Sequence, residues 1–467
     1  MRYLSTRGEA QRLDFCDAML AGLARDGGLY VPERLTSLAP AAIRALAGLP
    51  YAEAATRLVA PFVGGDFAPA ELAGIARDAY SGFRHAATAP LTQIDANLFV
   101  LELFHGPTLA FKDFAMQWLG RAMNRALERR DRRATILGAT SGDTGAAAIE
   151  AFGGQPRTDV FILFPHGRVS DVQRRQMTTV DKPNVHAVAI EGSFDDCQSI
   201  VKTLFGNLDF RDELSLSGVN SINWARILAQ IVYYFTSAVA LGAPDRRVSF
   251  AVPTGNFGDV LAGYYAKCMG LPVDRLTIAT NENDILARTL AAGLYKPLGV
   301  KATQSPSMDI QVSSNFERLL FDAYGRDASA VRALMAALRQ AGEFSVAPPA
   351  LAAIRRDFDA ERVDEKTCAD EMARVYRDSG IVVDPHSAVG VHAARAALKR
   401  DPETPVISLA TAHPAKFPDA VESAIGRRPE LPPHLAEIQS RRERCAILPN
   451  DPAAVAKFVR ERARVAA

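Results

Sequence analysis

Residues 98–120, LFVLELFHGPTLAFKDFAMQWLG, contain the pattern that decides the fold. An apolar run typical of a buried strand ends near Phe104, a Gly-Pro turn follows, and a helical pattern begins at about Lys112. Further apolar runs alternate with helical stretches along the chain: ATILGA (134–139), VFILFP (160–165), VHAVAIEG (185–192) and VSFAVPTG (248–255). This alternation predicts parallel strands joined by crossover helices, and the predicted fold class is therefore α/β with a parallel-sheet core.

The remaining sequence divides into segments of different character. Residues 1–92 carry apolar residues at helical spacing and predict a small, mostly helical N-terminal domain. Residues 93–426 form the predicted α/β core of two subdomains, with a charged helical insertion at about 327–379. Residues 427–467 are rich in charge and proline and predict a C-terminal tail on the surface. A length of 467 residues fits such a division, because it exceeds what one hydrophobic core usually organises.

Composition argues against several classes of partner. Lys and Arg total 54 against 53 Asp and Glu, so the formal charge of +1 gives no electrostatic basis for binding nucleic acid or a membrane. The most apolar stretch, 227–243, contains polar residues and is shorter than the ~20 residues of a spanning helix, so it predicts a buried helix. The N-terminus lacks the apolar segment of an export signal. We therefore expect a cytoplasmic protein that acts on a small molecule.

Cysteine usage agrees with this location. The five cysteines are scattered and include no CxxC pair. Such a distribution is typical of a reducing compartment and does not indicate a disulfide scaffold or a zinc site.

Ligands of parallel sheets bind where strands turn into helices, and the first such junction carries Lys112. The helix macrodipole favours anions at a helix start, so a lysine flanked by Phe111 and Phe114 should have a depressed amine pKa. A neutral amine is what a lysine needs in order to condense with an aldehyde. The alternative is a lysine that is merely solvated at a helix end.

The second junction, TILGATSGDTGAAAIEAFGG (135–154), is rich in hydroxyl groups and bare amides. Thr140, Ser141 and Thr144, with the amides around Gly142, could hold a carboxylate at the positive end of the following helix. The alternative is ordinary helix capping.

The third junction, VSFAVPTGNFGDVLAGYYAKCMG (248–270), places GNFG between a strand and a helix. Backbone N–H groups in such a turn suit a phosphate monoester. The pattern matches neither the GxGxxG of dinucleotide sites nor the GxxxxGK[ST] of P-loops.

The fourth junction, PVISLATAHPAKF (405–417), leaves Thr411 just beyond a buried strand, where its neutral hydroxyl could meet a heteroaromatic nitrogen. An aldehyde-reactive lysine, a carboxylate turn, a phosphate turn and such a hydroxyl are together the groups that a pyridoxal-phosphate site needs. The residues therefore predict pyridoxal 5'-phosphate as the cofactor.

These motifs, in this order, resemble those of the threonine synthases, which are fold-type II pyridoxal-phosphate enzymes, in their longer form with a leading helical domain. The resemblance covers nearly the whole chain and is carried by RDGGLYVP (25–32), HGPTLAFKDF (105–114), ATSGDTG (139–145), NSINWARI (220–227), PTGNFGD (253–259), SPSMDIQVSSNFER (305–318) and ATAHPAKF (410–417). It implies a carbon-oxygen lyase that converts O-phospho-L-homoserine and water into L-threonine and phosphate, the last step of threonine biosynthesis.

The resemblance also implies roles for individual residues. Lys112 would carry the cofactor, and Thr411 would contact its pyridine nitrogen. The loop around the cofactor phosphate would contain Gly255, Asn256, Phe257 and Asp259. The substrate carboxylate would be bound by Thr140, Ser141 and Thr144. One departure from the wider fold type is Asp143, where sulfhydrylase-like relatives carry Asn, and this leaves open which residue contacts the ring hydroxyl.

The substrate phosphate needs a cationic pocket of its own. In NSINWARI the predicted helix start places Asn220 and Asn223 in the approach loop and Arg226 on the following turn. A guanidinium clamp on the substrate phosphate is therefore predicted, with a structural ion pair of Arg226 as the alternative.

Other functions remain open from sequence alone. A dehydratase or sulfhydrylase of the same fold would act by α,β-elimination on serine, threonine or acetylserine. A phosphate lyase that resembles threonine synthase would end its reaction at a keto acid. A catalytically silent binding protein is disfavoured by the intact Lys112. His386 and His392 come without an HExxH or carboxylate arrangement, so no metal site is predicted.

Overall fold

The apolar runs form strands in the structure, a computed structural model that describes Met1–Val465. The strands are β1 (Tyr3–Ser5), β2 (Tyr30–Pro32), β3 (Leu91–Asp95), β4 (Leu98–Glu102), β5 (Ala134–Ala139), β6 (Thr158–Pro165), β7 (Val185–Glu191), β8 (Leu216–Ser217), β9 (Val248–Pro253), β10 (Val273–Thr280), β11 (Leu294–Tyr295), β12 (Phe344–Ser345), β13 (Phe358–Arg362), β14 (Val406–Ala410) and β15 (Ala446–Pro449).

Helices cover both faces of the sheets. They are α1 (Phe15–Ala21), α2 (Pro40–Arg44), α3 (Tyr51–Val63), α4 (Pro69–Tyr80), α5 (Lys112–Arg129), α6 (Asp143–Phe152), α7 (Asp171–Thr178), α8 (Phe194–Gly206), α9 (Leu208–Glu213), α10 (Trp224–Ala240), α11 (Gly258–Cys268), α12 (Ile285–Ala292), α13 (Phe316–Ala323), α14 (Ala328–Ala341), α15 (Pro348–Asp357), α16 (Glu365–Ser379), α17 (Pro385–Arg400), α18 (Pro418–Ile425) and α19 (Pro452–Arg460). Short 3₁₀ helices lie at Pro306–Met308, Pro414–Lys416 and Pro433–Gln439.

Two mainly parallel sheets form the core, which confirms the predicted fold class. The larger sheet has the strand order β13-β10-β9-β14-β4-β3, in which β3 runs antiparallel to β4. The second sheet has the order β15-β7-β6-β5-β8, and its neighbouring strands are parallel. All eight residues of β6 and all six of β9 are buried. Apart from Thr158, Asp159 and Ser249, these strands are apolar, as expected for parallel strands whose two faces are both covered by helices.

The stretch predicted as a buried helix, 227–243, lies mostly in α10, whose residues are nearly all buried. Its apolar residues belong to the largest buried cluster, and the helix packs against α3, α5 and α11. Within Met1–Val465, no helix has both the length and the apolar character needed to cross a membrane.

The bounds of the three predicted segments (1–92, 93–426 and 427–467) remain predictions, but the structure shows how residues within each of them pack. The N-terminal residues are tied to the core, since the Asn223 amide donates to the Met19 carbonyl oxygen at 2.9 Å. The region 327–379 is helical except for its short strands, of which β13 pairs with β10 at the sheet edge. The C-terminal residues do more than cover the surface. Strand β15 pairs with β7, and Val455 and Val459 of α19 are fully buried.

The order of the strands brings the predicted junctions together. Strand β14 lies between β9 and β4, so the turns that follow these three strands meet at one edge of the larger sheet. The Phe111 amide donates to the Thr411 carbonyl oxygen at 2.9 Å, which joins the turn after β14 to the start of α5. The turn after β5 reaches the same place from the second sheet, since Asp143 lies beside Lys112.

Candidate active site

Lys112 is the first residue of α5 and is buried. Its amine contacts the Ser307 hydroxyl at 3.3 Å and the Asp143 carboxylate at 3.5 Å, both at the long end of hydrogen-bond range. Burial lowers the amine pKa, Asp143 acts in the opposite direction, and the positive charges of Lys416 and Arg226 lower it further. The structure thus supports the depressed pKa expected from sequence, but burial outweighs the other causes.

Asp143 is held between two lysine amines. One oxygen lies 2.7 Å from Lys416 Nζ, and the other is the oxygen that faces Lys112. Gln173 also donates to Asp143, at 2.9 Å. Although burial alone would raise the Asp143 pKa, Lys416 and Lys112 together hold it far below its usual range. The carboxylate is therefore ionised at neutral pH, and the site contains one fixed negative charge.

The turn ATSGDTG presents free backbone donors, while its first hydroxyl is used within the turn. Thr140 Oγ1 accepts from the amides of Gly142 and Gly145, each at 2.9 Å, so Thr140 caps the start of α6. The amides of Ser141, Asp143 and Thr144 donate to no acceptor among the described residues. A carboxylate bound here would meet these amides and the positive end of α6.

The loop after β9 is closely packed and also has free donors. The amide N–H groups of residues 255–260 donate to no acceptor within Met1–Val465. A Cβ added at Gly255 would lie 2.8 Å from the Ser307 carbonyl oxygen, so only glycine fits at this position. The Asn256 carbonyl accepts from the amide and the side chain of Asn315, each at 3.1 Å. Phe257 adopts a left-handed conformation, with φ of 64°, directly before α11.

Asp259, predicted to lie in this loop, stands in the first turn of α11. Tyr233 and Tyr234 of α10 donate to the same carboxylate oxygen, at 2.6 and 2.9 Å. Burial raises the Asp259 pKa to about 6, although both tyrosine hydroxyls lower it. These contacts tie α11 to α10 through one carboxylate oxygen, while the other, Oδ2, is buried and has no hydrogen-bond partner among the described residues.

Thr411 directly follows β14 and is buried. Its carbonyl oxygen is used by the Phe111 amide, but its hydroxyl has no hydrogen-bond partner in the described residues. The hydroxyl is therefore free to meet a ligand at the centre of the sheet edge.

Arg226 lies in the first turn of α10, as predicted, and is buried without an anionic partner. Nη1 donates to the Val219 carbonyl at 3.1 Å, Nε donates to no described residue, and no ion pair forms with any carboxylate of Met1–Val465. Burial lowers the Arg226 pKa to about 10, so the group stays charged. The alternative of a structural ion pair is not observed, and an unpaired buried guanidinium indicates an anion site.

The two asparagines near Arg226 differ in role. Asn223 caps α10 by accepting from the Ala225 amide at 3.1 Å, whereas Asn220 lies in the loop before the helix. The Asn220 backbone carbonyl accepts from the Asn223 amide at 3.0 Å. The Asn220 side chain makes no hydrogen bond among the described residues and is available to a ligand.

Sequence reasoning missed Ser307, which links Lys112 to a buried histidine. The Ser307 amide donates to His386 Nε2 at 3.2 Å, and His386 Nδ1 lies 2.6 Å from Asp384. Because Nε2 accepts, the ring proton is on Nδ1 and is donated to the carboxylate. His386 thus supports the active site, and no group of potential metal ligands is present among the described residues.

The donor set fits pyridoxal phosphate. It provides a buried amine for the aldehyde, a glycine-dependent loop with free amides for the phosphate, and a free hydroxyl for the ring nitrogen. A second set, consisting of the free amides of the ATSGDTG turn and the unpaired Arg226, suits an amino acid that also carries a phosphate.

Sequence profiles of three families match the chain. The family described as "Threonine synthase N terminus" matches residues 2–80, and "Pyridoxal-phosphate dependent enzyme" matches residues 85–411. "Threonine synthase, C-terminal" matches residues 387–459. The threonine synthase of Pseudomonas aeruginosa is 54% identical over 461 residues, which cover 98% of each chain.

Solved structures show the same similarity. The pyridoxal-phosphate-bound threonine synthase from Brucella melitensis is 58% identical with a TM-score of 0.96, and the match covers 100% of both chains. The yeast threonine synthase is 38% identical with a TM-score of 0.92, and the match covers 98% of both chains.

Proposed function

The chain belongs to the threonine synthase family, and we propose that it converts O-phospho-L-homoserine and water into L-threonine and inorganic phosphate, using pyridoxal phosphate. This choice of substrate rests on Arg226, a buried guanidinium that pairs with no carboxylate of Met1–Val465 and whose positive charge acts on Lys112. A dehydratase or sulfhydrylase acting on serine or acetylserine would have no phosphate to place there.

The cofactor would be held by groups from three neighbouring strands. The amides of residues 255–258 and the start of α11 would bind its phosphate, Lys112 its aldehyde carbon and Thr411 its ring nitrogen. When bound, pyridoxal phosphate supplies an electron sink for negative charge that develops on the substrate carbons. The neutral Thr411 hydroxyl would leave the ring nitrogen largely unprotonated and so moderate that sink.

Lys112 would move the protons. Its buried amine has a lowered pKa, so a larger fraction is neutral near pH 7 than for an exposed lysine. With the substrate bound, Nζ would take protons from Cα and Cβ so that phosphate can leave from Cγ. The same amine would return a proton to Cγ before water adds at Cβ, and a proton to Cα afterwards. Ser307, at 3.3 Å, would hold the amine in place between these transfers.

The substrate would be fixed at both ends. The free amides of Ser141, Asp143 and Thr144, with the Ser141 and Thr144 hydroxyls, would bind its carboxylate at the start of α6. Arg226, and Asn220 from the preceding loop, would bind its phosphate. Thr140 would act mainly through the turn that it caps. Because these groups are buried or partly buried, bulk water would be limited until the hydration step.

A cytoplasmic location and a purely small-molecule partner belong to the same proposal. The five cysteines are free, and three of them are buried, which suits a reducing compartment. Near-neutral charge offers no basis for a nucleic-acid partner.

The proposal is tested by incubating the cofactor-loaded protein separately with O-phosphohomoserine, serine and acetylserine, and identifying the products. We expect phosphate and threonine from phosphohomoserine only. Oxoacid from serine would indicate a dehydratase, cysteine from acetylserine and sulfide a sulfhydrylase, and phosphate with a keto acid a phosphate lyase. Borohydride reduction and peptide mapping should place the label on Lys112, and label on another lysine would reject the assigned site.

A further inference from the structure

Lys416 is a second lysine in the active site, and neither the predicted site nor the proposed mechanism uses it. It is fully buried, at 0% exposure, in the 3₁₀ helix that follows Thr411. Its amine makes two short contacts, one to Asp143 Oδ1 at 2.7 Å and one to the Thr108 carbonyl oxygen at 2.8 Å. Burying an ammonium group completely is costly unless it is paired, so these contacts account for its stability there.

The two lysines share Asp143 unequally. Lys416 is at 2.7 Å, within the range of a strong charge-assisted hydrogen bond, whereas Lys112 is at 3.5 Å, at the limit of hydrogen bonding. One carboxylate can neutralise one ammonium group, and the geometry assigns it to Lys416. Lys112 is therefore left next to a carboxylate whose charge is already compensated.

The pairing of Asp143 with Lys416 reduces the effect that Asp143 would otherwise have on the charge of Lys112. A buried carboxylate beside Lys112 with no other partner would hold the amine in its charged form, since opposite charges a few ångströms apart favour ionisation. A charged amine neither attacks an aldehyde nor accepts a proton. The charged groups that act on Lys112 are Asp143 from α6, Lys416 after β14 and Arg226 from α10. Of these, only Asp143 favours the charged amine.

We propose that Lys416 is a positioning residue for Lys112: by neutralising Asp143, it keeps that carboxylate from holding the Lys112 amine in an ion pair. An aspartate is tolerated beside the reactive lysine because a second lysine is buried with it. Asp143 and Lys416 therefore act as one unit and should be exchangeable together for a neutral pair. This inference rests on the proposed role of Lys112.

The structure shows why the double variant Asp143→Asn with Lys416→Met should fold. Asparagine keeps an oxygen that can accept from Gln173, which now donates to Asp143 at 2.9 Å. The Thr108 carbonyl, which loses Lys416, still accepts from Gln176 at 3.0 Å. The two substitutions remove the Asp143 carboxylate and the Lys416 ammonium group together, so neither is left as a buried charge without the other, and methionine fills most of the volume of the lysine stem.

The test follows the attachment of pyridoxal phosphate to Lys112 in the full-length protein after its cofactor has been removed. The rate at which the visible absorbance appears is measured against pH, and borohydride trapping with peptide mapping confirms the labelled residue. The midpoint of this profile reports when the amine becomes neutral. Lys416→Met should raise the midpoint by ~1–3 pH units, because an uncompensated carboxylate then faces Lys112. At a fixed pH below both midpoints, each unit means a roughly tenfold slower rate.

The other variants make the test a closed cycle. Asp143→Asn alone should lower the midpoint, because Lys416 then repels the charged form of Lys112, and the double variant should return the midpoint to near that of the wild type. Lys267→Met is the matched control, because it also removes a lysine paired with an aspartate, here Asp357 at 2.9 Å. Lys267 lies ten residues after Phe257, so it is about 15 Å along α11 from the start of that helix. The midpoint of Lys267→Met should not move.

The single variants must shift the midpoint in opposite directions for the inference to stand. Shifts of the same sign, an unmoved midpoint in Lys416→Met, or no recovery in the double variant would overturn it. If Lys416→Met does not fold, the downward shift in Asp143→Asn and its recovery in the double variant still decide the question. If wild-type label appears on another lysine, the proposed function of Lys112 fails instead, independently of Lys416.

Discussion

Replacing Arg226 by methionine should separate substrate binding from stability. The side chain is buried, yet its guanidinium makes one hydrogen bond, to the Val219 carbonyl at 3.1 Å, and leaves Nε unpartnered. Losing one such bond costs about 1 kcal/mol, while removing a poorly paired buried charge recovers a desolvation cost of similar or larger size. Methionine fills much of the same volume. We therefore expect a thermal unfolding midpoint no lower than that of the wild type.

Substrate binding should respond very differently. A charge-assisted contact with the substrate phosphate contributes about 1.5 to 3 kcal/mol, so its loss should raise the KM for O-phosphohomoserine by roughly 10- to 150-fold. Affinity for pyridoxal phosphate should stay within about twofold, because the amides of residues 255–258 belong to a different loop. The assays are phosphate release, fluorescence titration with the cofactor, and scanning calorimetry.

Two results would refute this reasoning about Arg226. Loss of cofactor affinity with normal substrate kinetics after reconstitution would place the guanidinium in the cofactor site. A strongly lowered unfolding midpoint with an unchanged KM would show that Arg226 is structural. Arg226→Lys is the matched variant, since it keeps the charge but not the fork of donors, and it should recover part of the lost affinity.

Four further predictions test individual groups. Lys112→Ala should abolish threonine formation, measured by product analysis, while the circular dichroism spectrum stays native. Thr411→Val should weaken cofactor binding by ~1 kcal/mol without changing the products. Thr411→Asp should deepen the electron sink and divert product towards keto acid. Wild-type rates and products in the Asp variant would show that Thr411 does not face the ring nitrogen. Ser307→Ala should lower kcat more than it raises KM, and a change confined to KM would remove Ser307 from the proton transfers. Burial, and then the neighbouring His105, lower the His413 pKa from 6.5 to about 4, so between these pH values the unfolded chain binds a proton there that the folded chain does not. Stability therefore decreases as the pH is lowered from 6.5 to 4. His413→Asn should lose less stability over this range in urea titrations, and an equal loss would contradict the assignment.

The parts of the site that could be predicted from sequence are local in the chain. Each junction consists of an apolar strand followed within a few residues by turn or hydroxyl groups, so its pattern is visible in a single stretch. The start of α5 at Lys112 and the position of Arg226 in the first turn of α10 were predictable for this reason.

The parts that could not be predicted depend on contacts between distant residues. Lys416 lies 308 positions from Thr108, and Ser307 lies 195 positions from Lys112. Nothing in the sequence around Lys416 indicates that a lysine would be fully buried. The available signal was Asp143 itself, because a carboxylate in a buried turn needs a cation, and the ATAHPAKF motif, predicted to meet the same site, carries one.

Side-chain direction was the other limit. Asp259 was predicted to lie in the phosphate loop, but the sequence could not show that its carboxylate accepts from Tyr233 and Tyr234 on α10. The strand β15 was missed because its four residues lie in a stretch dominated by charge and proline, and pairing with β7 decides its conformation.

The most direct test of the proposed reaction is its stoichiometry in water enriched in oxygen-18. The cofactor-loaded protein is given O-phospho-L-homoserine, and phosphate, threonine and keto acid are quantified, with the oxygen label located by mass spectrometry. We predict one phosphate for each threonine, with the label in the threonine hydroxyl, because water adds at Cβ. Release of phosphate with keto acid as the main product, or threonine without label from the solvent, would contradict the account.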